Sequence, residues 1–382
     1  MSSSSKDLFF YGRLWGYLWG MRILIDCGSL QENPLNAEKS EIIFHCLELL
    51  TKNGDSIDWQ LLVDDSGPQN RLADLSLEKI VVKRRIRGGW GQRLWQSLRL
   101  PSIVKRSGAS LFMSFDGDAR PRLPVTQCSW DLRDRIRRKG APGLESEGRR
   151  NVLFAFSEKD KDALLEKNNG VAQPVFVIYG GPGDNFLPLP WVEREKAKIA
   201  FAGGKEYFLI FFNGLREEDL VNILKAFSLF KKRQQSNMQL VFAGTGHPDA
   251  AFTGKLQSYK YRDDIHIRDL VPSPETKLVG GAYALISPFA VGATGLPVLN
   301  AFRAGVPVIT SAFGCQAEVA GDAALYIESG EPAPLADRMM AVYKDENLRN
   351  SLINKGKSRL SGFSWEASVQ KVREGIRQAF PD

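Results

Sequence analysis

Short apolar runs alternate with amphipathic stretches along this chain, and the alternation passes through two cycles. In the first, "RILIDCGSL" (22–30) reads as a strand ending in a small-residue turn, and "EIIFHCLELLTKNG" (41–54) as an amphipathic helix that stops at Gly54. Further strands are expected at 58–65, 78–86, 111–117, 124–130 and 150–157. After "PVFVIYGGPGDNFLPLP" the pattern restarts, with strands expected at 206–214, 238–246, 264–271, 283–289, 306–313 and 323–329 and helices such as 218–233 and 296–304 between them. Strand–helix alternation of this kind predicts parallel sheets covered on both faces. The last segment sets Trp365, Val369, Val372, Ile376 and Phe380 on one helical stripe. The expected organisation is α/β: two doubly wound Rossmann-like domains, 21–190 and 191–362, then a terminal helix within 363–382.

Composition narrows the class. The 382 residues are 43% hydrophobic and 25% charged, as in a globular chain with substantial cores. Cys27, Cys46, Cys128 and Cys315 stand far apart without zinc spacing and read as buried thiols of a reducing compartment. Only three histidines are present, which argues against a His-rich metal site. The net charge of +7 is concentrated: residues 79–150 hold 18 Lys and Arg against 6 Asp and Glu. Such a segment suits acidic partners, an anionic membrane surface among them, but it lacks a helix-turn-helix or stacking signature, and nucleic acid is not expected. Residues 1–20 hold no apolar run of signal-peptide or membrane-span length and read as a leader before a fold that opens at Met21. The expected location is the cytoplasm, with the basic segment available to the inner face of a membrane.

Familiar chemical motifs are mostly missing. Neither cycle carries G-x-G-x-x-G after its first strand, "GKS" at 356–358 lacks the P-loop's first glycine, and no G-x-S-x-G elbow occurs. "DGD" (116–118) reads as a turn at a strand end rather than a metal site. The informative stretch is "GATGLPVLNAFRAGVPVI" (292–309), where a glycine-rich turn enters a helix with Pro297 near its start. Backbone N–H groups at such a helix start face an anion readily.

Several stretches resemble, in order, group-1 (GT4-type) glycosyltransferases of the GT-B arrangement. "YFLIFFNGLREEDLVNILKAF" (207–227), "LVFAGTG" (240–246), the run 269–327 around "GATGLPVLN", and "NLRNSLINKGKSRLSGFSWEASVQKV" (347–372) are similar to the donor-binding domain and its closing helices. In the first half, 94–114 and 156–186 fit as well. The resemblance implies a UDP- or GDP-linked sugar nucleotide as donor substrate, no metal or other cofactor, a glycan or lipid-linked acceptor, and retention of configuration. It implies nucleotide contacts at Gly214, Arg216, Glu217, Glu218, Gly244, Val271, Thr294, Gly295, Leu296 and Asn300, and catalytic positions at Trp130, Asp131 and Gly292.

Those positions depart from the family pattern. On a gapless alignment its two glutamates fall on Gly292 and Asn300, its Arg–Lys pair on Glu217 and Glu218, and its acceptor-side histidine on Trp130, with Asp131 following. Bulkier "QENPLNAEKS" (31–40) replaces its first glycine loop. A charge about 5 Å from a phosphate is worth roughly 3 kcal/mol at an effective dielectric near ~20, so reversing two costs on the order of 10 kcal/mol before screening. A one-residue shift would bring Arg216 to the arginine position. Two functions follow: sugar-nucleotide-dependent glycosyl transfer, or a non-catalytic relative acting as partner subunit or binding protein.

Overall fold

The computed structural model describes residues 20–27, 37–52, 57–64, 75–82, 95, 97–115, 123–130, 151–167, 174–270, 275–288, 293–328 and 330–380. Seven parallel strands form the first sheet: β1 (Arg22–Asp26), β2 (Asp58–Asp64), β3 (Glu78–Val82), β4 (Leu111–Ser114), β5 (Thr126–Trp130), β6 (Val152–Ala155) and β7 (Val175–Val177). Their order is β3-β2-β1-β4-β5-β6-β7. Ile25 lies opposite Leu61 on one side and Met113 on the other. The strands are apolar on both faces because both are covered. Ile23, Ile25, Leu61 and Met113 enter one core, and Leu24, Leu62 and Phe112 enter the other. Helix α1 (Ala37–Lys52) covers the first of these with Ile42, Ile43, Cys46, Leu47 and Leu50, while α2 (Leu100–Ser107) covers the second with Leu100 and Val104. Helix α3 (Glu158–Lys167) follows β6.

After α4 (Trp191–Ala202) comes a second parallel sheet of β8 (Tyr207–Phe211), β9 (Gln239–Gly244), β10 (Ile265–Asp269), β11 (Ala284–Ser287), β12 (Val308–Ser311) and β13 (Ala324–Ile327). Its order is β10-β9-β8-β11-β12-β13. In β8, Tyr207 and Leu209 point into one core while Phe208 and Ile210 point into the other. The connecting helices are α5 (Glu217–Gln234), α6 (Ala250–Gln257), α7 (Glu275–Gly280), α8 (Leu296–Arg303) and α9 (Cys315–Ala320). Helices α10 (Pro332–Lys344) and α11 (Glu346–Arg359) follow β13.

The final helix, α12 (Trp365–Ala379), returns to the first sheet and buries Trp365, Val369, Val372 and Ile376 in its core, with Phe380 packed against it. Gly375 permits this approach, since a Cβ there would lie 2.7 Å from the Phe154 ring. Trp365 donates its indole N–H to Pro182 O at 3.1 Å and stacks on His45 at 4.3 Å, so it ties helix, linker and α1 together.

The element types expected from the apolar pattern are present with trimmed ends. Helix α1 starts at Ala37, four residues before the expected start, so the last four residues of "QENPLNAEKS" are helical rather than loop. Strand β7 was not foreseen, because three half-buried residues give too short a pattern. Truncating Trp365 to Ala removes a buried ring shared by three segments, and should cost about 3 kcal/mol in urea unfolding.

Candidate functional site

Strand order reverses between β8 and β11 in the second sheet, and between β1 and β4 in the first. Open parallel sheets bind ligands at the carboxyl ends of strands flanking such a point. In the second sheet these ends lead into residues 212–216 and into the turn that opens α8.

The loop after β8 is tightly built. Asn213 accepts the Thr245 N–H at 2.8 Å, and Gly214 turns the chain at φ 83°. Gly244 is obligatory at its position, for a Cβ would come within 2.5 Å of Asn213 Oδ1. Arg216 then caps α5: its N–H reaches Asp219 Oδ2 at 3.1 Å, and its guanidinium grips the same carboxylate through Nε at 3.0 Å and Nη2 at 2.9 Å. Asp219 thereby holds the Arg216 pKa above its ordinary value. Glu217 accepts Lys255 Nζ at 2.7 Å, and Glu218 lies 3.9 Å from Arg216. The reversed charges therefore have a local role, since acids in a first turn complement the helix dipole.

At the start of α8, Gly295 takes φ 80° and lies so close to Val319 that a Cβ would meet it at 2.8 Å. The preceding Thr294 is fully buried. Both its N–H and its hydroxyl donate to one carboxylate oxygen, Glu38 Oε2, at 2.8 and 2.9 Å. Glu38 belongs to the first turn of α1, so this anion comes from the other sheet's layer of helices. Leu296 packs into the first sheet's core. Asn300, buried, accepts the Gly183 N–H from the linker at 2.9 Å. The side chain expected to contact the nucleotide thus holds the chain that joins the two sheets.

Contacts that sequence reasoning missed complete the joint. Glu318 of α9 accepts the N–H groups of Glu158 and Lys159 at 2.8 and 3.0 Å, and the Tyr179 hydroxyl at 2.9 Å. Burial, then the Glu318 charge, pushes the Tyr179 pKa up. Cys315 donates its thiol to Thr294 O and to Phe156 O, one in each half. The sequence signal for Glu38 and Glu318 was slight: an acid in the first turn of a helix, in a chain with many such acids.

Trp130 is buried at the end of β5, its ring 5.5 Å from that of Phe115 and 4.9 Å from that of Phe154. Its indole N–H is buried and has no hydrogen-bond partner among the described residues. An indole is a donor only, so this position cannot act as a general base. Asp131, Val271 and Gly292 lie outside the described residues, as do Asp116, Asp118, residues 1–19 and much of the basic segment. Among the described residues, no group of His, Cys, Asp and Glu is arranged to hold a metal ion, and no helix is long and apolar enough to cross a membrane. All four cysteines are buried and none forms a disulfide among the described residues, and burial pushes the Cys46 thiol up to about 12.

Two doubly wound parallel sheets whose last helix returns to the first define a GT-B protein. Residues 192–359 match the family model "Glycosyl transferases group 1", so this second half is similar to the group-1 glycosyltransferases. O-antigen chain mannosyltransferase B of Escherichia coli is 21% identical over 240 residues, which span 61% of this chain and 62% of that protein. Among solved structures, a glycosyltransferase from Rickettsia africae ESF-5 has a TM-score of 0.71 at 15% identity, covering 95% of this chain and 99% of that one. WaaG, a glycosyltransferase involved in lipopolysaccharide biosynthesis, gives 0.70 at 14%, covering 92% and 98%. Anabaena Alr3699/HepE in complex with UDP and glucose gives 0.67 at 14%, covering 93% and 99%. At these identities the likeness is one of fold.

The joint has a titratable weak point. Glu275, at the start of α7, has its pKa pushed up to about 7 by burial first and then by the charges of Glu41 and Glu38 on α1. The charges of Glu41 and Glu38 are the part of this shift that contact with α1 adds, so that contact favours the protonated Glu275. The contact is favoured below the ordinary carboxylate range and weakens as pH rises through about 7. The radius of gyration from solution scattering should increase between about pH 5 and about pH 8, and Glu275→Gln should flatten that dependence.

Proposed function

We propose that this protein takes a sugar nucleotide at the β8–β11 switch point and works in the assembly of a cell-surface polysaccharide or glycolipid. The observation that carries the reading is the carboxylate on Thr294, because it marks the α8 start as a place where backbone N–H and hydroxyl hold an anion. The family-model match over 192–359 and the UDP and glucose bound by a neighbour of the same fold support it. In this reading Gly214 and Gly244 let the chain approach the nucleotide, Thr294, Gly295 and Leu296 shape the helix start beside it, and Arg216 faces the diphosphate. The sugar's anomeric carbon leaves the nucleoside diphosphate and bonds to a hydroxyl of a glycan or lipid-linked acceptor, with retention and without a metal.

A second reading rests on a specific observation: the cation nearest the expected phosphate site is already gripped in two places by Asp219, with Glu217 and Glu218 beside it. A protein so arranged binds nucleoside diphosphates weakly and serves as a non-catalytic partner subunit or binding protein. Thermal-shift measurements with a panel of UDP- and GDP-sugars test the first reading, since a ligand at about a hundredfold its Kd stabilises by roughly 2.7 kcal/mol. A shift with one donor, and release of its nucleoside diphosphate on adding acceptor, is the expected outcome. Binding without turnover points to the second reading, and no shift with any donor rejects the nucleotide site.

The charge argument has its own test. Glu218 is exposed and makes no tight pair, whereas Glu217 is held by Lys255. Glu218→Lys should therefore raise UDP affinity about tenfold by calorimetry, and Arg216→Ala should lower it by a similar factor.

A further inference from the structure

The Glu38–Thr294 contact joins two helix starts on opposite halves of the molecule. Thr294 uses both of its donors on this single oxygen. Nothing in packing alone requires a charge there, for a neutral Gln or a serine hydroxyl satisfies the same two donors. A carboxylate does more: it places a negative charge at a helix start of the second half that lies at its switch point. A carboxylate held by a backbone N–H and a hydroxyl, on the spot where an anionic ligand would arrive, resembles that ligand.

We propose that Glu38 is a built-in competitor for the anionic part of the donor: while it sits on Thr294 the two halves are held together and the seat is filled, and a nucleoside diphosphate enters only as Glu38 leaves. This rests on the sugar-nucleotide reading for the identity of the ligand, and adds the intramolecular control of that site. The observed contact is then the resting state, and donor binding is coupled to separation of α1 from α8. Apparent affinity falls by the fraction of molecules in which the seat is free, so a tenth free means about a tenfold weaker apparent Kd.

The test uses the full chain with Glu38→Ala, which empties the seat, and Glu38→Gln, which keeps an acceptor without the charge. Glu38 is half-buried at a helix start, so neither change disturbs a core. Calorimetry with UDP, GDP and inorganic pyrophosphate is paired with solution scattering. Glu38→Ala should bind at least one of these about tenfold more tightly than the native chain, with a larger radius of gyration, and Glu38→Gln should fall between. Native-level binding of a nucleoside diphosphate, unchanged by either substitution, overturns the inference and leaves the nucleotide reading standing. Gain of pyrophosphate binding alone upholds the inference and removes the nucleoside from the reading. No binding of any probe by any of the three proteins overturns both.

Discussion

Thr294 stands just before the N-cap of α8, fully buried, and its backbone N–H has no carbonyl of that helix to meet. Leaving it bare would cost on the order of 1–3 kcal/mol, so something must be brought to it. The chain brings Glu38 from the far half of the molecule, and the consequences spread from that meeting. Helix α1 is drawn to α8, and Leu296 enters the core of the first sheet. Cys315 hydrogen-bonds to carbonyls on both sides. Asn300 and Glu318 then secure the linker and the start of α3.

What could be read from the sequence follows the length of the signal. Strands such as β8 and β9 are continuous apolar runs between turn residues, and their identity survives any choice of partner. The stripe of Trp365, Val369, Val372 and Ile376 spans three turns, long enough to show that α12 buries one face, although not against which sheet. Strand β7 was too short to register. The site was legible as a place but not as a set of contacts. Gly295 and Gly244 are needed for close approach, which glycine beside an apolar run suggests. Glu38, 256 residues from Thr294, leaves no local pattern because its partner is chosen by the tertiary fold.

The same limit applies to the reversed charges. Judged against a phosphate, Glu217 and Glu218 are costly. Judged against the helix they begin, they complement the dipole of α5, and Glu217 meets Lys255 as well. Likewise Arg216 is a candidate phosphate ligand by position and a helix cap by contact. A residue in a first turn at the carboxyl end of a strand answers to both demands, and sequence alone does not rank them.

The return of α12 also bears on how the molecule comes into being. The first sheet is synthesised early, yet five of its core side chains arrive on a helix that leaves the ribosome after the whole second half. Domains commonly fold as units from the amino end during synthesis. Here the first half must remain open on the face later covered by Trp365 and Ile376 while the second half completes itself. Final assembly of the first core is thus a late event, and the order of synthesis runs opposite to the order of completion.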